Sequence, residues 1–250
     1  MTALRAAWRL TRVGLHGLHG LAIVLARFPS LDARGREQRI QWWSAKLLRV
    51  MGLSVHGSGT PRPGAKLLVA NHVSWLDIAA IHAVVPEARF VSKSDVKHWP
   101  LVGRLVAGAG TLFIEREKKR DALRVVHQMA EALKAGDTVA VFPEGTTGDG
   151  RTLLPFHANL LQAAIATATP VQPVVLRFFD ARHAVSPVVE FLGETTLAQS
   201  LWRIVAARGL AVEVRILTAE GTAHADRRAL AEHLRETIGK ALPPQDGTAA

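Results

Sequence analysis

The chain has 250 residues, 48% hydrophobic and 21% charged, with a mean hydropathy of +0.14. That composition supports an ordinary core and excludes a disordered chain. Cysteine is absent, which excludes a disulfide framework, a Cys-ligated zinc site and a Cys nucleophile or thiol-bound acyl carrier. Lys and Arg number 31 against 21 Asp and Glu, a net charge of +10, so nucleic acid or an anionic membrane surface is the expected partner class.

The charge is concentrated at the start. Residues 1–60 hold Arg5, Arg9, Arg12, Arg27, Arg34, Arg36, Arg39, Lys46 and Arg49 against Asp32 and Glu37, a net +7 that leaves +3 for the remainder. Arg5, Arg9, Arg12, His16 and His19 recur at helical spacing, and Leu4, Trp8, Leu15, Leu18, Ala22 and Leu25 fall on the other side. Gly14, Gly17 and Gly20 weaken this helix by roughly 1 kcal/mol each relative to Ala, so it needs a surface to fold on. Pro29 ends it. A second helix places Ile40, Trp43, Leu47 and Val50 on one face, beside Arg39, Trp42, Lys46 and Arg49, with Gly52 as its C-cap. Two basic amphipathic helices with Trp at their cationic edges read as an interfacial membrane anchor over residues 1–60. The plain alternative is two surface helices packed on the domain. Residues 13–26 are uncharged behind a basic start, but two His and three Gly make a poor signal-peptide core. No run approaches the roughly 20 apolar residues of a spanning helix.

From residue 66 the pattern alternates. Short apolar runs at 66–70, 89–91, 111–115, 138–142, 171–178, 188–191 and 211–217 read as strands. Residues 119–134 carry a stripe of Ala122, Val126, Met129, Ala130 and Leu133. Residues 226–240 carry Leu230, Leu234 and Ile238, and both segments read as helices. The expected fold is α/β, a mainly parallel mixed sheet flanked by helices over residues 61–241, preceded by the two-helix segment and followed by a flexible tail at 242–250.

Three polar clusters begin where expected strands end, and open α/β sheets bind ligands beyond the carboxyl ends of their strands. The first is Asn71-His72-Val73-Ser74-Trp75-Leu76-Asp77. With His72 in the loop and Asp77 in the first turn of a helix, Asp77 can take the Nδ1 proton and leave Nε2 as a general base. Ser74 and Asp77 also match a capping box, which needs no catalysis. The second is the run 111–116, where Arg116 can offer a two-pronged donor to a phosphate or stand as an ordinary surface residue. The third is Phe142-Pro143-Glu144-Gly145-Thr146-Thr147-Gly148-Asp149-Gly150, whose glycines allow close backbone approach to an anion or form a plain exposed turn. No nucleotide-binding glycine motif, nucleophile elbow or paired-His metal motif is present.

Together these blocks resemble the glycerolipid acyltransferase family, specifically 1-acyl-sn-glycerol-3-phosphate acyltransferases. Asn71-His72-x4-Asp77 resembles its first block, residues 110–116 its second, Phe142-Pro143-Glu144-Gly145-Thr146 its third and Pro170-Val171-Gln172-Pro173-Val174 its fourth. Ser92-Lys93 stands where the family has a Ser-Lys pair. The resemblance implies transfer of a fatty acyl chain from an acyl-CoA or acyl-carrier-protein thioester to a lysophospholipid hydroxyl. His72 would be the base and Asp77 its orienting partner. Arg116, Glu144, Gly145 and Thr146 would form the acceptor site, with the lysolipid phosphate near Arg116, and Lys93 would also bind substrate. It implies no metal and no cofactor beyond the acyl donor as co-substrate. The partners would be the lysolipid, the donor (with acyl-carrier protein among them) and the anionic cytoplasmic face of the inner membrane, held peripherally or monotopically, with no nucleic acid. The family often has Arg after Phe-Pro-Glu-Gly-Thr, where Thr147 stands here, and a basic residue in the following stretch, where the run is Phe156-His157-Ala158-Asn159. Those departures leave another lysolipid, including lyso-ornithine lipid, open as acceptor. A thioesterase using the same base on water and a non-enzymatic basic membrane binder are the remaining alternatives.

Overall fold

The computed structural model describes residues 2–93, 102–114 and 119–244. Two long helices come first, α1 (Thr2–Ala26) and α2 (Ala33–Met51), joined through a 3₁₀ turn at Phe28–Ser30 that contains Pro29. The Asp32 carboxylate accepts from Gly35 N at 2.8 Å and caps the start of α2. Gly52 ends α2 in the left-handed region, φ +98°. A Cβ at Gly52 would also fall 2.3–2.5 Å from the Arg9 guanidinium, so this glycine serves both the turn and the close approach of α1.

The sheet is built from β1 (Leu53–Ser58), β2 (Lys66–Ala70), β3 (Ala88–Lys93), β4 (Leu112–Ile114), β5 (Thr138–Val141), β6 (Val171–Phe179) and β7 (Leu210–Ile216). Its order is β1-β7-β6-β2-β5-β3-β4. Every neighbouring pair is parallel except β6 with β7. The helices between and after the strands are α3 (Asp77–His82), α4 (Val102–Gly108), α5 (Lys119–Lys134), α6 (Gln162–Ala166), α7 (Leu197–Ala206) and α8 (Arg227–Ala241).

Alternation along each strand divides the core between two sheet faces. Leu68, Ala70 and Ala140 pack with α2, α3 and α7. Leu67, Val69, Val139 and Val141 pack with α5, α6 and α8. Cover on both faces explains why β2 and β5 are buried at every position and, past Lys66 and Thr138 at their starts, read as apolar runs.

Two expectations need correction. Residues 188–191 form no strand: Pro187–Val189 is a 3₁₀ turn, where Pro187 has no N–H to give a ladder and Ser186 Oγ accepts from Val188 N. Leu53–Ser58, read as part of the N-terminal segment, is an edge strand paired with β7. With only Leu53 and Val55 apolar and one face open, it carries little periodic signal.

Part of the basic face of α1 is turned inward: Arg5, Arg9 and His16 face the protein, while Arg12 and His19 stay exposed. Arg5 donates to Ala206 O at 2.8 Å, and Arg9 donates to Val205 O and Ala207 O at 2.9 and 2.8 Å. These carbonyls end α7, where cations complement the helix dipole. The opposite face is open: Leu4, Trp8, Leu15, Leu18 and Leu25 are 57–79% exposed. No helix among the described residues is long and apolar enough to cross a membrane.

Candidate active site

The parallel register explains how the first and third clusters meet. Val69 of β2 is paired with Val141 of β5. Continuing three residues along both chains brings His72 beside Glu144, at the carboxyl edge of the sheet. Asn71 secures the exit from β2: its amide donates to Leu176 O at 2.9 Å and accepts from Leu176 N at 2.8 Å, tying the loop to β6.

His72 Nδ1 lies 2.7 Å from Asp77 Oδ2. The same oxygen accepts from Val73 N at 2.7 Å and Ser74 N at 3.0 Å. Asp77 accepts from the Ser74 backbone as its spacing allowed, but no capping box forms: α3 begins at Asp77 itself, with Leu76 as an N-cap that makes no side-chain bond. The same carboxylate holds the imidazole with Nε2 left over as a proton acceptor. Its carboxylate is fully buried, and Oδ1 has no hydrogen-bond partner among the described residues. The His72 side chain is 21% exposed, so the pair combines a buried carboxylate with an accessible imidazole. The Phe142 ring stacks on His72 at 4.2 Å between centroids and 12° between planes, and Phe90 stacks on Phe142 in turn.

Glu144 is buried. One oxygen accepts from His72 N at 2.8 Å and the other from Leu154 N at 2.9 Å. Burial pushes its carboxyl up from the ordinary glutamate value, opposed by the two backbone N–H groups. Gly148 N donates to His72 O at 2.7 Å, so the loop holds both sides of the His72 backbone. Gly145 has φ +73°, and a Cβ there would lie 2.9–3.0 Å from the His157 ring; glycine meets both demands. Gly145 and Thr146 are exposed.

The other expected positions are less central. Lys93 closes β3, paired with Ile114 of β4, which places both strand ends at the same carboxyl edge. Arg116 lies outside the described residues. Gln172, the polar residue of the fourth block, sits at the opposite edge. It accepts from Arg62 N and donates to Thr60 O and Leu217 O, fastening loops there. Thr147 donates to Phe191 O. Asn71 and Phe142 are the contributors that residue-type reasoning passed over, although both stand inside the quoted motifs. Among the described residues no group of three His, Asp or Glu side chains could hold a metal ion.

An accessible imidazole oriented by a buried carboxylate can take a proton from a hydroxyl that attacks a carbonyl carbon. Residues 52–177 match the family described as Acyltransferase. A 1-acyl-sn-glycerol-3-phosphate acyltransferase of Neisseria gonorrhoeae is 38% identical over 191 residues, covering 75% of this chain and 73% of its own. A lyso-ornithine lipid O-acyltransferase of Pseudomonas aeruginosa is 34% identical over the full length of both chains. The fold is shared with a crystal structure of the 1-acyl-sn-glycerophosphate (LPA) acyltransferase PlsC of Thermotoga maritima, with a TM-score of 0.67 at 21% identity over 94% of this chain and 96% of that one.

Proposed function

Because the chain belongs to the acyltransferase family of lysophospholipid acyltransferases, we propose that it acylates the free hydroxyl of 1-acyl-sn-glycerol-3-phosphate from an acyl-CoA or acyl-carrier-protein thioester. The observation that carries this reading is the 2.7 Å contact of His72 with Asp77 at the sheet edge where the glycine-rich loop arrives. His72 Nε2 takes the hydroxyl proton as the oxygen attacks the thioester carbonyl carbon. Asp77 holds the tautomer and stabilises the imidazolium as it forms. The tetrahedral intermediate collapses by breaking its C–S bond, and the leaving thiolate takes the proton back from the imidazolium. The products are an ester and a free thiol.

A second acceptor, lyso-ornithine lipid, is favoured by Thr147 in place of a cation and by the end-to-end match with the Pseudomonas relative. One experiment distinguishes the acceptors: a panel of lysolipids incubated with labelled acyl-CoA or acyl-carrier protein. Labelled phosphatidic acid supports the first reading and labelled ornithine lipid the second. Free fatty acid without acylated lipid would mean hydrolysis.

The outward apolar stripe of α1 supports peripheral attachment to one leaflet of the inner membrane from its cytoplasmic side. An interfacial helix buries its apolar face in the headgroup–acyl boundary, and the stripe presents Trp8 and four leucines for that. The inward basic residues fasten the helix to the domain, while Arg12, Arg27, Arg34, Arg39 and Arg49 stay exposed to meet anionic headgroups. Retention on anionic liposomes but not on DNA is the expected result.

A further inference from the structure

We propose that Glu144 is a positioning residue of the base rather than a ligand of the acceptor: it fixes the backbone from which the His72 imidazole projects. The inference rests on His72 being the base. The resemblance to the family places Glu144 in the acceptor site, but its surroundings leave it little to offer a lysolipid. It is 5% exposed, and each carboxylate oxygen already accepts from a backbone N–H, Oε1 from His72 and Oε2 from Leu154. A buried carboxylate facing a phosphate would also repel it.

The bond to His72 N belongs to a larger frame. The His72 carbonyl accepts from Gly148 N, the ring lies flat on Phe142, and Nδ1 meets Asp77. Three of these four restraints come from the segment 142–148. Oε2 closes that segment on itself, because Leu154 N lies ten residues further along the chain. Among the described residues, Glu144 is thus the one side chain that links the far end of the loop to the peptide N–H of His72. Small misplacements of a reacting group cost rate far more than binding, so a defect in this frame affects turnover.

Glu144→Gln tests this. Gln has nearly the same shape, but its amide nitrogen must face one of the two N–H groups, replacing one hydrogen bond with a donor–donor contact. Steady-state kinetics on the full chain in lipid vesicles, with 1-acyl-sn-glycerol-3-phosphate and acyl-CoA, should show kcat reduced about 10- to 100-fold. KM for the lysolipid should stay within about twofold. The His72 Nδ1–H proton signal of ¹⁵N-histidine-labelled protein should move. Three results overturn the proposal: kcat within about twofold of wild type, a raised KM with kcat kept, or an unmoved Nδ1–H signal. If the variant does not fold, amide hydrogen exchange of the wild type decides, with slow exchange at His72 N–H supporting the bond to Glu144 and fast exchange refuting it. His72→Ala serves as the reference. A dead His72→Ala with a fully active Glu144→Gln removes only the positioning role, whereas an active His72→Ala removes the base itself.

Discussion

Trp43 and His16 hydrogen-bond to each other's backbone. The indole Nε1 donates to His16 O at 3.1 Å, His16 Nε2 donates to Trp43 O at 2.9 Å, and the two rings stack 5.1 Å apart. This reciprocal pair locks α1 against α2 where Gly20 lets the indole approach the α1 backbone. Trp43→Phe keeps the aromatic bulk and removes the donor. It should cost about 1–2 kcal/mol and lower the melting temperature by about 3–6 °C, measured by circular dichroism.

The exposed stripe of α1 separates membrane binding from folding. Trp8→Glu with Leu15→Glu alters two side chains that touch water in the free protein. Each loses about 1.5–3 kcal/mol of apolar transfer at a bilayer. The double variant should partition onto anionic liposomes at least about 100-fold more weakly while its melting temperature stays within error. Unchanged co-sedimentation would remove α1 from the membrane contact.

His82 gives the fold an acid limit. It is buried, Nε2 bonds Ala88 O at 2.8 Å, and burial lowers its pKa to about 4 against the opposing pull of the Ala88 carbonyl and Glu87. An unfolded chain protonates this imidazole near 6.5, so between about 6.5 and 4 the unfolded state holds more protons. The contribution is fully present above that window and is lost as pH falls through it, about 3 kcal/mol in all. His82→Gln should flatten the stability-versus-pH curve between pH 4 and about 6.5 in urea titrations.

Asn71 precedes the proposed base, His72, and ties its loop to the centre of the sheet through both its amide atoms. Asn71→Ala leaves Leu176 N and O unpaired in the core and should cost about 2–4 kcal/mol. Its urea midpoint should fall, and activity should fall with it even where the chain remains folded, because the exit direction of β2 is no longer set.

The candidate active-site edge was legible because its residues lie in continuous motifs at the ends of apolar runs. β2, β5 and β6 begin where the runs begin, and α5 matches its stripe over its whole length. The meeting of His72 with Asp77 followed from loop-then-first-turn spacing. The bond from Glu144 to His72 did not, because it depends on the β2–β5 register, and strand pairing is set by tertiary packing rather than by either strand. The orientation of α1 was hidden for a related reason. Periodicity separates a basic from an apolar face without saying which one meets protein, and three carbonyls at the end of α7 decide it. Helix α7 escaped notice although its capping box, Thr196 with Gln199, stands in the sequence.

The most direct test is acyl transfer by His72→Ala in liposomes containing 1-acyl-sn-glycerol-3-phosphate, with labelled acyl-CoA and with folding checked by circular dichroism. Loss of the labelled phospholipid product by at least about 100-fold, at an unchanged melting temperature, is the expected outcome for a general base. Turnover close to wild type in a folded His72→Ala protein would contradict the assignment of the base and the mechanism built on it.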